Sequence, residues 1–105
     1  MTAFTAGSHP TGTGFRLDLA GELDFQTAPR LREELVKLEL LPGQQLVFDL
    51  SELTFCDSTG LTAFVAARNQ ALAVQAEFVL SAVPDQVLRI LRISGLDQAL
   101  PVIPG

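Results

Sequence analysis

The chain has 105 residues, 48% of them apolar and 18% charged, and a formal charge of −5 at pH 7. That length holds one packed core and no separate catalytic domain, and the acidic balance repels nucleic-acid phosphates and anionic lipid surfaces. One cysteine, Cys56, excludes an internal disulfide, no Cys/His cluster has metal-ligand spacing, and no apolar run reaches the roughly 20 residues of a membrane span.

The opening MTAFTAGSHPTGTG is rich in Thr, Gly, Ser and Pro, with Ala3 and Phe4 as its apolar candidates. It lacks the basic and apolar regions of a signal peptide, so a cytoplasmic protein without metal or cofactor is expected. Residues 1–14 are expected to be an N-terminal edge strand or a flexible segment, with the folded domain over 15–105. Phe15, Leu17 and Leu19 alternate with Arg16 and Asp18, which predicts a half-buried strand at 15–20 ended by Gly21. In TAPRLREELVKLEL, Ala28, Leu31, Leu35 and Leu38 recur at helical spacing. Thr27 is the expected N-cap, Pro29 lies in the first turn, and Pro42-Gly43 is the expected stop. Glu33 and Lys37 form an i,i+4 pair on the solvated face.

QLVFDL at 45–50 is short and nearly all apolar, as in a strand covered on both faces. From about Ser58 a helix is predicted with Leu61, Phe64, Val65, Arg68 and Leu72 at helical spacing, its alanines small enough to lie close to a sheet. AEFVLSAV at 76–83 reads as a strand. PDQVLRILRISG reads as a helix with Val87, Leu88 and Leu91 inward and Gly95 as its stop. A short edge strand near Val102 completes the chain. Alternating strands and helices give an α/β fold in which a mostly parallel, mixed sheet of about four to five strands carries helices packed against it.

In such sheets, sites form where strands end and helices begin. Two of those junctions carry acids, GELD at 21–24 and FCDSTG at 55–60. Asp57 or Ser58 as a helix cap accounts for the residue types, but one cap is sufficient and Asp, Ser and Thr are stacked together. A nucleophilic Ser58 would need a base. His9, the only histidine, lies in the N-terminal stretch, and Lys37, the only lysine, lies on an exposed helix face. The G-x-S-x-G elbow and the glycine run and lysine of a phosphate loop are both absent. No enzymatic activity is expected. A third reading is covalent switching: phosphorylation adds a charge of about −1.5 to −2, which a helix N-terminus tolerates. Cys56 and Asp49 are read as structural, the first as a small core residue and the second as an acid that needs a hydrogen-bond donor.

The stretch LVFDLSELTFCDSTGLTAFVAARNQA, together with LDLAGELDFQTAPRLREEL before it, resembles the STAS domain of bacterial anti-sigma factor antagonists over roughly residues 15–100. The resemblance implies that Ser58 is a phosphoacceptor and that Asp24 and Asp57 match acids near it. With Thr59, Gly60 and Leu61, these acids would face the partner. It implies as partners an anti-sigma factor that is a GHKL-type serine kinase, and a PP2C-type phosphatase. The unmodified protein would bind the kinase and free a sigma factor, and phosphorylation would end that binding. The alternative within the same fold is a STAS subunit, without obligatory phosphorylation, that regulates a lipid-transporting ABC system or a sensory scaffold. The opening strand of that family is poorly represented in residues 1–14, and Gly60-Leu61-Thr62 departs from the Gly-Leu-Gly or Gly-Leu-Arg of many relatives.

Overall fold

In the computed structural model, which describes residues 3–104, Phe4 ties the polar N-terminal stretch to the fold. Phe4 is buried, and around it Phe4–Thr11 forms β1, antiparallel to β2 (Gly14–Leu23) with a register running from Phe4↔Gly21 to Thr11↔Gly14. The edge strand is thus eight residues long despite its weak pattern. It forms because β2 offers it a continuous ladder. His9 belongs to this strand rather than to a loop.

The rest of the chain alternates: α1 (Ala28–Val36), β3 (Gln45–Cys56), α2 (Ser58–Ala73), β4 (Glu77–Ser81), α3 (Asp85–Ser94), a 3₁₀ turn at Leu96–Gln98 and β5 (Val102–Ile103). The sheet order is β1-β2-β3-β4-β5, and every pair after the first is parallel. Because each new strand adds to the same side, right-handed crossovers place the three helices on one face. Leu17, Leu19, Leu46, Phe48, Leu50, Phe78 and Leu80 of that face meet Leu31, Leu35, Phe64, Val87 and Leu91 in a single core. At its centre Phe48 meets Phe64 edge-on at 5.9 Å and Phe78 at 4.8 Å.

That arrangement corrects the reading of 45–50 as covered on both faces. Leu46, Phe48 and Leu50 are buried, while Gln45, Val47 and Asp49 alternate with them at intermediate exposure. Asp49 sits opposite Asp18 and Ser81 and accepts a hydrogen bond from the Ser51 amide at 2.9 Å. On the same face Asp18 pairs with Arg16 at 2.8 Å and with His9 at 3.1 Å. The strand also runs six residues beyond Leu50, to Cys56, carried by bulges against β2 between Asp18 and Ala20 and between Gly21 and Glu22.

Four helix details differ from expectation. Helix α1 ends at Val36, well before Pro42-Gly43, because the amides of Lys37 and Leu38 turn to the carbonyls three residues back and tighten the last turn. Its lysine pairs with Glu34 at 2.9 Å rather than with Glu33. In α2 the buried stripe is Gly60, Leu61, Ala63, Phe64, Ala67 and Ala71, and Leu72 is exposed. The alanines themselves form the contact surface, since small side chains let the helix approach the sheet. Helix α3 ends as predicted, with Gly95 in the left-handed conformation at φ 77°, but Leu88, expected inward, is only half-buried and leaves the core to Val87 and Leu91.

Candidate functional site

The carboxyl ends of β2 and β3 lie side by side, with Glu22 opposite Phe55 and Leu23 opposite Cys56. The amide of Asp57 continues this ladder by donating to the Leu23 carbonyl at 3.2 Å. GELD and FCDSTG, remote in sequence, therefore meet at one end of the sheet. His9 sits opposite Arg16 toward the other end. Seven residues of extended chain from Arg16 to Leu23 put it roughly 20 Å away, so no histidine base attends Ser58.

Asp57 is the N-cap of α2: its backbone is extended and its Oδ1 accepts from the Gly60 amide at 3.1 Å. Ser58 is then the first helical residue. Its carbonyl accepts from the Thr62 hydroxyl at 2.9 Å. Its own side chain is exposed, and its hydroxyl makes no hydrogen bond among the described residues. The serine is therefore not the cap. The acid before it performs that function and leaves the hydroxyl free. Thr59 is half-buried.

Gly60 and Leu61 are buried, so they shape the turn and offer little side-chain surface to a partner. A Cβ on Gly60 would stand 2.6 Å from the Cys56 sulfur and 3.0 Å from Leu23 Cγ. Only glycine lets the first turn of α2 settle onto the β2–β3 pair. Cys56 is a core residue, as read from the sequence. Burial, and secondarily the charge of Asp57, push its thiol up from 9.0 to about 12.

Asp24 closes a second turn. Its Oδ1 accepts from the amides of Gln26 at 2.9 Å and Thr27 at 3.1 Å. Thr27 occupies the N-cap position of α1, yet its side chain does not cap the helix. Its hydroxyl is turned back to donate to the Glu22 carbonyl at 2.7 Å and accept from the Asp24 amide at 2.9 Å. At 2% exposure, Thr27 is the buried clamp that holds Asp24 in place. The sequence reading treated it only as a cap.

Two further residues at this end escaped the sequence reading: Phe25, 78% exposed, and Phe55, 46% exposed. Their signal was an aromatic within two residues of each junction acid, directly after Asp24 in LDF and two before Asp57 in TFCD. Among the described residues no His/Cys/Asp/Glu group has metal-binding geometry, and no helix is long and apolar enough to cross a membrane.

At this end of the sheet, then, an exposed serine with an unbonded hydroxyl starts a helix, and the nearby Asp57 and Asp24 are both engaged by backbone amides. The fold around it, a mixed sheet opening with an antiparallel pair and carrying its helices on one face, defines a STAS domain. The chain belongs to that family: the family model described as "Mlab, STAS domain" matches residues 9–104. Among curated proteins it is similar to the anti-sigma-B factor antagonist of Listeria monocytogenes, at 37% identity over 84 residues, 80% of this chain and 74% of that one. Its fold is similar to that of an anti-sigma factor antagonist from Mycobacterium paratuberculosis, with a TM-score of 0.81, 25% identity, and 98% and 87% of the two chains covered. It is likewise similar in fold to the anti-sigma factor antagonist SpoIIAA in its unphosphorylated form, with a TM-score of 0.77, 20% identity, and 98% and 88% covered. These relatives are regulatory proteins.

Proposed function

We propose that this protein is an anti-sigma factor antagonist switched by phosphorylation of Ser58. The observation that carries the reading is the free, exposed Ser58 hydroxyl at the first position of α2, beside an Asp57 that already satisfies the cap. In its unmodified form the protein binds an anti-sigma factor that is a GHKL-type serine kinase and so releases the sigma factor. The kinase then phosphorylates Ser58, and a PP2C-type phosphatase resets the switch.

The physics of the position supports such a device. A phosphate at the first helical residue faces the positive end of the helix dipole and unpaired amides of the first turn, so the fold survives modification. Asp24 and Asp57 stay fixed beside it by their own hydrogen bonds. A group carrying about −1.5 to −2 charges beside two immobile carboxylates therefore changes the surface without unfolding it.

The test is incubation with ATP and each recombinant GHKL-type kinase encoded in the genome that carries this chain, followed by mass spectrometry and a binding assay. Ser58 should gain one phosphate, Ser58→Asp should lose the kinase while keeping its melting temperature, and Ser58→Ala should bind it constitutively. An unmodified Ser58 across the whole set refutes the reading. Recovery of a transporter ATPase subunit instead would select the role of a STAS subunit in a lipid-transporting ABC system.

A further inference from the structure

Two exposed aromatic rings lie at the same end of the sheet as Ser58. Phe25, Phe55 and Ser58 each fall within two residues of the paired Leu23 and Cys56, which puts them on one end of the sheet. Both rings are exposed, Phe25 the more so. The Phe25 backbone is held by the turn around it. The Gln26 and Thr27 amides are bonded to Asp24, and the Thr27 hydroxyl is bonded to the Glu22 carbonyl. A partner that covered this ring would have little backbone to order, and aromatic side chains in such positions dominate binding energies.

The rim of this patch is acidic. Glu22, Asp24 and Asp57 come from the two strand ends. Asp85 comes from the start of α3, which a Gln86 Nε2 bond to the Thr54 carbonyl at 2.9 Å holds at the same end. Arg30 in the first turn of α1 is the nearby cation, and its guanidinium donates to the Phe4 carbonyl at 3.2 Å.

We propose that Phe25 and Phe55 form an apolar docking platform for the anti-sigma factor, which meets them with an apolar pocket rimmed by basic side chains and encloses Ser58 in the contact. This rests on the reading of Ser58 given above. The platform also explains how the switch works against a basic partner. A phosphate at Ser58, enclosed in the same contact as the two rings, is a charge where water is excluded. Its desolvation, together with repulsion from Asp24 and Asp57, outweighs attraction to a basic rim that those acids already neutralise.

The sequence contains neither Trp nor Tyr, so Phe25→Trp and Phe55→Trp each introduce a single fluorophore. Val36→Trp, at an 82% exposed position at the opposite end of α1, is the control. On titration with the recombinant kinase that binds this chain, emission should shift to the blue at positions 25 and 55 and stay constant at 36. In calorimetry, Phe25→Ala should raise Kd roughly 10- to 100-fold, as expected for truncation of an interface anchor, with an unchanged melting temperature. Ser58→Asp reports separately on the switch. If it abolishes binding while both Phe→Ala variants bind as wild type and the tryptophan emissions stay constant, the platform is refuted and the switch stands. If it binds normally while Phe25→Ala is weakened, the switch falls and the platform stands. A chain that binds none of the GHKL-type kinases overturns both.

Discussion

Replacing Gly60 by alanine tests whether the serine turn is positioned by close packing. The added Cβ would lie 2.6 Å from the Cys56 sulfur and 3.0 and 3.1 Å from two carbons of Leu23, both in the buried core. Overpacking of that kind costs about 1–3 kcal/mol. Alanine recovers less than about 1 kcal/mol of helix propensity at this first-turn position, leaving a net loss of about 1–2 kcal/mol. With an unfolding entropy of about 2.1 cal/mol/K per residue, the melting temperature should fall by roughly 5–10 °C. The assay is thermal unfolding by circular dichroism of Gly60→Ala, Cys56→Ala and the double variant. Because removing the sulfur vacates the space the new methyl needs, the double variant should be more stable than the sum of the single losses predicts. A Gly60→Ala protein that melts at or above the wild-type temperature, or strictly additive variants, would refute the packing argument.

Asp57→Ala removes the α2 cap and should cost about 1 kcal/mol, whereas Asp57→Asn should retain most of it; urea unfolding distinguishes the two. Thr27→Val leaves the Glu22 carbonyl and the Asp24 amide without their buried partner and should cost about 1–3 kcal/mol, with Thr27→Ser close to wild type in the same measurement. The Cys56 thiol holds its proton to about pH 12 in the folded chain against 9.0 ordinarily. Native protein at pH 8 should therefore resist a thiol reagent that labels the denatured chain at once. Its ionisation favours unfolding, so this group's contribution to stability is constant below pH 9 and declines as the pH rises toward 12. Comparing alkaline unfolding of wild type and Cys56→Ala isolates that decline.

Much of this architecture is legible from side-chain spacing alone. The strand at Phe15 announces itself through period 2 and the helices at Leu31, Phe64 and Leu91 through period 3.6, while the strands at Leu46 and Phe78 show only as short apolar runs. The DSTG turn declares itself by stacking more polar residues at a helix start than a cap requires. What spacing misreads are features set by neighbours far along the chain. Residues Phe4–Thr11 have little strand pattern, and their strand exists because β2 presents a free edge. In α2 the alanines were legible as the residues that let the helix lie close to the sheet, and Ala63, Ala67 and Ala71 are buried there. The leucine at 72 looked like core, but so close an approach leaves it outside the contact.

The site divides in the same way. Local sequence determined that Asp57 precedes Ser58 at a helix start, since capping and helix periodicity act over a few residues. Only the tertiary structure decided which oxygen caps and which is free. It also decided that Thr27 turns away from its helix to hold Asp24, and that Phe25, Phe55 and Ser58 share one end of the sheet. These outcomes depend on the parallel pairing of Leu23 with Cys56 across 33 residues of chain. That contact follows from burying one face of the whole sheet, and no window of sequence around the serine contains it.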